Sequence, residues 1–379
     1  MNKTLLALQK YTEDFYSETE FGESNLVGSP LGSWLLVASI ASGLSLNGNS
    51  SLKADLESSL HIDVEEAEEA VKEILEKYRE LNYVSQAWTI PDLSELPAVK
   101  DWVEANSLIP HEGNIPSQEQ IDEWASTNTN GLIKEFPSSM DESVLLVIAN
   151  IIYSKLAWKT KFIATPKTEP MKDWDVETVL TANATNDVKF FIDSNNDVFA
   201  VYKVKAIGDR ESVSLVTCLS SELSPQTLMR VANNPDSMKE ILPADERLLQ
   251  CSENIYRIKE VVRGSVPTEI HVTVPAWEAE SLHKLIENKS MGYQAISQAL
   301  REGATTPFAT DAKQVAVAKF DKDGFEAAAL TTMIVSRCAL PTMVTKTVYE
   351  LNFTKPFVFI SHIEELPVFS GYICKANEA

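Results

Sequence analysis

The sequence predicts an α+β fold. Three observations lead there: apolar residues recur at three- and four-residue intervals through the first third, they come in strand-length runs from Ser143 onward, and nothing punctuates the passage between the two regimes. Helical segments first and strands afterwards is the order of an α+β architecture rather than an alternating α/β one. The length of 379 residues admits two domains or one large one. There is no Gly/Ser/Pro-rich linker and no repeat of roughly 20–50 residues, so residues 1–379 are read as a single domain.

Taken in order, residues 4–17 and 31–44 carry the helical period. Residues 63–71 open another helix, with Asp63 as the expected N-cap and an acidic first turn suited to the positive end of the helix dipole. That acidic run is read as a solvated face. Residues 121–136 form a further amphipathic segment. Residues 143–153 are continuously apolar over strand length, as expected of a strand covered on both faces. Later strands are expected at 188–192, 198–204, 212–219, 269–277, 314–320, 348–353, 357–363 and 368–373, with a helix interrupting them at 278–300.

Charge narrows the partners. Lys and Arg number 33 against 55 Asp and Glu, a net charge of −22, which argues against nucleic acid or an anionic membrane because phosphate binding needs clustered cations. Four cysteines at wide spacing, Cys218, Cys251, Cys338 and Cys374, are expected to be mostly reduced thiols. The most apolar run, 34–46, is broken by Gly43 and falls short of the roughly 20 residues a membrane helix needs. The first ten residues hold too short an apolar stretch for a signal peptide, so a soluble protein is expected, with the compartment open.

Catalytic motifs are absent. Gly28-Ser29-Pro30-Leu31-Gly32 has its serine one place too early for a nucleophile elbow. No Gly-x-Gly-x-x-Gly, Walker loop, His-Glu-x-x-His or Cys-x-x-Cys occurs, and the five histidines stand apart. No enzyme, metal or cofactor is expected.

The most unusual stretch is Asp323-Gly324-Phe325-Glu326-Ala327-Ala328-Ala329-Leu330-Thr331-Thr332. It follows the expected strand 314–320 and precedes a segment, 333–347, without clear helical period. Gly324 is a natural pivot, because glycine reaches backbone angles closed to other residues. Ala327, Ala328 and Ala329 offer little bulk to a sheet opening around them, although Glu-Ala-Ala-Ala is equally the composition of a short helix.

Several motifs in order resemble the serpin family. Asn25-Leu26-Val27-Gly28-Ser29-Pro30 is similar to an early Asn-x-x-x-Ser-Pro signature. Trp124 through Thr129-Asn130-Gly131-Leu132-Ile133 resembles the helix that leads to the central sheet. Asn150-Ile151-Ile152-Tyr153-Ser154-Lys155-Leu156-Ala157-Trp158, with Phe162, resembles the strand that follows. Val274-Pro275-Ala276-Trp277 and Phe353-Thr354-Lys355-Pro356-Phe357-Val358-Phe359 with Val368-Phe369-Ser370-Gly371 complete the set, while residues 169–263 match poorly.

The resemblance implies a serpin fold: a helix-rich amino-terminal part, large mixed β-sheets and an exposed reactive-centre loop at about residues 322–347. It implies an irreversible suicide-substrate inhibitor of serine proteases: the loop is cleaved, the protease is held as an acyl-enzyme, and the freed loop inserts into the central sheet of a metastable molecule. Gly324, Phe325, Glu326, Ala327, Ala328 and Ala329 would be the hinge, and Ser29, Asn150, Gln314 and Trp158 the gate of the sheet. Alternation on insertion would bury Phe325, Ala327, Ala329, Thr331, Met333 and Val335, with Glu326 on the exposed side.

Three departures attend it. Phe325 stands where inhibitory members carry Thr or Ser, Gln314 where a histidine is usual, and Gly32 where a serine is usual, with Ser33 displaced by one. A bulky Phe325 is expected to slow insertion, so that Phe325→Thr would trap protease better. The usual hinge length makes Cys338–Ala339 the reactive bond; a hinge one residue shorter makes it Arg337–Cys338. The first suits elastase- or subtilisin-like proteases, the second trypsin-like ones, and a cysteine protease is a further candidate; the inhibitor is expected to act as a monomer. The alternative is a non-inhibitory serpin acting as a binding or carrier protein or as a protease substrate.

Overall fold

The computed structural model describes residues 3–378 apart from 47, 235–237, 253, 264–267, 307 and 326–342. In chain order the elements are α1 (Lys3–Ser17), β1 (Leu26–Gly28), α2 (Pro30–Ala41), α3 (Ser50–Leu60), α4 (Ala67–Lys77) and β2 (Asn82–Thr89). Next come α5 (Pro97–Ala105), β3 (His111–Glu112), α6 (Gln118–Asn128), β4 (Leu146–Tyr153), β5 (Leu156–Ala157) and β6 (Ile163–Pro166). They are followed by β7 (Thr178–Asn183), β8 (Val188–Ile192), β9 (Val198–Lys205), β10 (Glu211–Cys218), α7 (Pro225–Asn233), β11 (Lys239–Ile241) and α8 (Glu246–Leu249). The remainder is β12 (Ile255–Arg263), β13 (Thr268–Val274), β14 (Trp277–Lys284), α9 (Tyr293–Leu300), β15 (Lys313–Phe320), β16 (Gly324–Phe325), β17 (Met343–Asn352), β18 (Phe357–Ile363) and β19 (Leu366–Ile373).

The chain falls into two compact units. The first comprises Met1–Glu20, Gly28–Ser154 and Glu280–Val317. Its centre is α2, where Trp34, Leu35, Val37 and Ala38 are fully buried, so this helix is apolar all round rather than amphipathic. The buried indoles keep partners: Trp34 Nε1 donates to Leu60 O at 3.1 Å and Trp102 Nε1 to Ile40 O at 3.0 Å. β2 pairs antiparallel with β4 through eight residues and parallel with β3. α6 covers this sheet, laying Ile121 and Trp124 on Trp88, Val147 and Ala149.

The second unit comprises Phe21–Val27, Lys155–Ala279 and Ala318–Ala379. A seven-stranded sheet runs β1-β19-β18-β10-β9-β8-β11, and a five-stranded sheet runs β12-β17-β13-β7-β6. In the first, Gly371 of β19 lies so close to β1 that a Cβ there would stand 2.1 Å from Leu26 O, so only glycine fits. Asn25 binds β14 and the residues just past β19: Nδ2 donates to Glu278 O and Lys375 O at 2.8 and 2.9 Å, and Oδ1 accepts from the N–H groups of Cys374 and Lys375, both at 2.8 Å. A fourth sheet has the order β14-β15-β16-β5. Cys218, Cys251 and Cys374 are free thiols, and among the described residues no helix is long and apolar enough to cross a membrane.

Several elements differ from their sequence-based expectation. Asp63 is the N-cap residue of a single 3₁₀ turn, Val64–Glu66, that precedes α4, but its carboxylate makes no cap hydrogen bond and faces Lys3 at 3.9 Å. The amphipathic segment 121–136 stops being helical at Asn128, because Asn130 and Gly131 take left-handed angles, φ 53° and 82°. The strand expected at 269–277 is two strands, β13 and β14, separated by Pro275, and the helix expected at 278–300 is strand as far as Lys284. Its Glu, Ala and Lys favour helix, yet Trp277 and Ala279 point inward while Glu278 and Glu280 point out, and that alternation wins. β4 begins at Leu146 and alternates between buried and half-buried positions instead of being covered equally on both faces.

Candidate functional site

In the first unit, three of the four predicted gate residues meet at the start of α2. Ser29 is the N-cap: its Oγ accepts from Gly32 N at 3.1 Å, and Pro30 fills the first helical position, where no N–H is needed. Gln314 of β15 grips the same residue with both ends of its side-chain amide. Its Oε1 accepts from Ser29 N and its Nε2 donates to Ser29 O, each at 2.9 Å. A side-chain amide thus does what a neighbouring peptide group would do in a ladder. Asn150 of β4 donates from Nδ2 to Gly32 O at 2.7 Å.

Gly32 stands where the resemblance leads one to expect a serine. A Cβ at this position would stand 3.2 Å from Ser29 Oγ and 3.4 Å from Ile152 Cδ1, so the cap leaves little room for one. Ser33 belongs elsewhere: its Oγ lies 2.8 Å from Tyr11 Oη and 3.0 Å from Tyr293 Oη, in a buried hydroxyl chain whose phenols are kept protonated by burial. Replacing Gln314 with Ala strips two hydrogen bonds from Ser29. At about 1 kcal/mol each, plus the cost of incomplete solvation, the expected loss is about 2–3 kcal/mol, measured as a lower urea midpoint at unchanged m-value.

In the second unit, the predicted hinge starts as a strand. β15 ends at Phe320, the chain turns, and Gly324–Phe325 runs back as β16, antiparallel to both its neighbours: Phe320 faces Phe325, Gly324 faces Ala157 and Phe325 faces Leu156. Asp321 makes the turn, accepting at Oδ1 from the N–H of Asp323 at 2.9 Å and of Gly324 at 3.2 Å. The turn is fastened from outside as well. Trp158 Nε1 donates to Asp321 O at 2.9 Å, Trp158 N to Asp323 O at 3.2 Å and Phe162 N to Lys322 O at 3.2 Å, while Lys161 Nζ meets Asp323 Oδ1 at 3.2 Å. Trp158, predicted as a gate residue, fastens the turn at Asp321–Asp323.

Phe325 is 4% exposed. Its ring lies 6.4 Å from Trp277 and 6.2 Å from Phe359 between centroids, inside an aromatic cluster in which Trp277 stacks on Phe320 at 5.6 Å and Trp158 tilts against Phe320 at 5.0 Å. The slot that receives this position is built of rings and fits a ring. Gly324 is an extended strand residue here, paired to Ala157.

β16 takes Gly324–Phe325, and the first five residues of β17 take 343–347, out of the expected loop span of 322–347. Glu326, Ala327, Ala328, Ala329, Arg337, Cys338 and Ala339 lie outside the described residues. Sequence reasoning missed Asp321, Phe162, Lys161 and Phe359 as contacts of the 321–325 segment. The Asp-Lys-Asp-Gly turn signal was readable at 321–324; the ring contacts were not, because they join residues far apart in the chain. Among the described residues no group of three or more His, Cys, Asp or Glu is arranged to hold a metal ion.

A family model described as serpin (serine protease inhibitor) matches residues 7–376. The chain belongs to the serpin family. Members are in general protease inhibitors rather than enzymes, and their fold is typically metastable. Serine protease inhibitor A3K of Mus musculus is 26% identical over 254 residues, 63% of this chain and 53% of its own length. The leukocyte elastase inhibitor of Xenopus laevis is 23% identical over 260 residues, 64% of this chain and 61% of its own. The chain thus spans little more than half the length of these curated relatives. The crystal structure of Serpin48 from the insect Tenebrio molitor covers 99% of this chain and 98% of its own, with a TM-score of 0.62 at 16% identity. At that identity the likeness speaks for the serpin fold alone.

Proposed function

We propose that this serpin inhibits serine proteases as a consumed bait and has no enzymatic activity of its own. The observation that carries the reading is β16: immediately after β15 the chain turns back and begins a new strand between β15 and β5. A segment that starts in this way is in register to continue into the sheet once its far end is free. The protease serine Oγ adds to the carbonyl carbon of Cys338, the Cys338–Ala339 bond breaks, and Ala339 leaves as a free amine carrying a proton from the protease. The remaining ester joins the protease to Cys338. Insertion of the loop outruns attack by water on that ester.

The arrangement Arg337–Cys338 is the second register. Cys338 is small and moderately apolar, in keeping with elastase- or subtilisin-like targets, and a frog relative bears the name leukocyte elastase inhibitor. Arg337 would direct the molecule to trypsin-like enzymes. We read 1–379 as one domain acting as a monomer.

The test is a panel of elastase-, subtilisin- and trypsin-like proteases. One of them is expected to give a complex that survives boiling in detergent, releasing a fragment that begins at Ala339 or, in the second register, at Cys338. A second reading, a serpin cleaved as a plain substrate, draws on the bulk of Phe325. It predicts cleavage in the same place with a gain in heat resistance and no complex, and that outcome would replace the first reading.

A further inference from the structure

The strand that follows the loop is held in an unusual way. β17 lies between β12 and β13, which are two arms of one stretch of chain. On one side β12 pairs antiparallel with it through nine residues, from Arg263 opposite Met343 to Ile255 opposite Leu351. On the other, β13 pairs in parallel through six, from Thr268 opposite Thr347 to Thr273 opposite Asn352. The grip is reinforced by side chains. Lys346 Nζ meets Glu269 Oε2 at 2.5 Å, and His271 stands between Glu350, at 3.0 Å, and Glu269, at 3.3 Å. Below the ladders, Asn352 N donates to Asn254 O at 2.8 Å and Phe353 N to Thr273 O at 3.0 Å, so the residues at the foot of each arm hold the chain again.

The consequence concerns what an uncut loop can do. Phe325 already sits in the sheet, and β17 resumes at Met343. An intact chain inserted for a given length must return over the same length, at about 3.3 Å per residue in each direction. Only about half of the intervening residues can enter before the return leg is taut, unless β17 peels away from its neighbours. Cleavage abolishes the return leg and leaves β17 untouched. β13 alone would hold β17 by the shorter, parallel ladder, the weaker kind per residue. β12 is an edge strand with Tyr256 and Ile258 exposed, 41% and 38%, so its contribution here is the longer ladder.

We propose that β12 is a clasp: it keeps β17 in place so that loop insertion waits for cleavage. The proposal rests on the inhibitor reading. Two single variants test it, Arg257→Pro and Ile258→Pro. Adjacent strand residues point their N–H groups to opposite sides, so one proline removes a ladder bond to β17 and the other an outward N–H. Each protein is incubated uncut, well below its unfolding temperature. Intact mass, heat resistance and the capacity to bind protease covalently are followed over days.

The wild type is expected to keep its capacity. The ladder-breaking variant is expected to convert at least tenfold faster into an uncut, heat-resistant form that no longer captures protease. A disulfide across the clasp, Ile258→Cys with Val348→Cys, is expected to preserve the capacity at least as long as in the wild type while leaving complex formation intact. Equal conversion rates in the wild type and both proline variants, or loss only through aggregation, overturn the clasp. If the wild type captures no protease and cleavage adds no heat resistance, the inhibitor reading is what fails, because those measurements do not involve β12.

Discussion

Cutting the chain between Arg337 and Leu340 is expected to raise its thermal midpoint by about 15 °C. The estimate is built from the strand that the freed loop would add. About a dozen residues lie between Phe325 and the reactive bond, and each residue that joins a ladder gains on the order of 1 kcal/mol net. For 379 residues an unfolding entropy of about 2 cal/mol/K per residue turns each kcal/mol into a little over 1 °C. The side chains expected on the inner face, Ala327, Ala329, Thr331, Met333 and Val335, carry no charge, so nothing subtracts a buried ion from that sum. Differential scanning calorimetry of intact and clipped protein decides it. Equal midpoints would mean that no strand is added, and the inhibitor reading would go with it.

Phe325→Ala is expected to make the protein a wasteful inhibitor. The sequence alone suggested the opposite for this position, a ring too bulky to be buried quickly. In the structure the ring is already seated among Trp277, Phe320 and Phe359, and insertion continues from it. Emptying a buried phenylalanine site costs about 3–5 kcal/mol when the surroundings do not collapse. Losing even about 3 kcal/mol lowers the population of the seated hinge roughly a hundredfold or more relative to the released one. The loop then starts from outside the sheet, and more acyl-enzyme is hydrolysed first. The number of inhibitor molecules consumed per protease should rise several-fold, with a change in tryptophan emission, since Trp277 lines the vacated slot. A lower consumption in Phe325→Ala would restore the view of the ring as an obstacle.

Elements of the fold differ in how much of them could be read from the chain, and both units hold legible and illegible ones. The edges of β8, β9, β10, β15 and β18 were legible within about a residue, because alternation or continuous apolar runs mark strands that face a core. β2, β7 and β12 were not. β12, Ile-Tyr-Arg-Ile-Lys-Glu-Val-Val-Arg, carries charge along an edge, and its identity as a strand comes from pairing with β17, some ninety residues away. α3, α5 and α7 are short helices whose N-terminal signals, Asn49, Pro97 and Ser224 with Pro225, lie between weakly periodic segments.

At the site, residue identity was visible and geometry was not. Gln314 was recognisable as a donor and acceptor in one side chain, but its two-point hold on the backbone of Ser29 depends on α2 beginning at Pro30. Asn150 is named as a gate residue with no partner assigned, and its Nδ2 finds the carbonyl of Gly32. Trp158 was placed with the gate by its position in a motif, whereas its indole N–H reaches the turn at Asp321. In each case the partner in the structure is a main-chain group, which no pattern of residue types announces.

The position of β18 has a bearing on how the molecule is made. It lies between β10 and β19 in the seven-stranded sheet, with Phe357, Val358, Phe359 and Ile360 buried. A ribosome delivers residues in order at about 5–20 per second. β18 and β19 therefore emerge after every helix of the described residues has been synthesised. Until they arrive, β10 keeps a raw margin where β18 belongs, and Asn25 waits for amides some 350 residues downstream. Nascent chains would spend many seconds as unfinished intermediates, which makes assistance during translation a natural companion of this architecture.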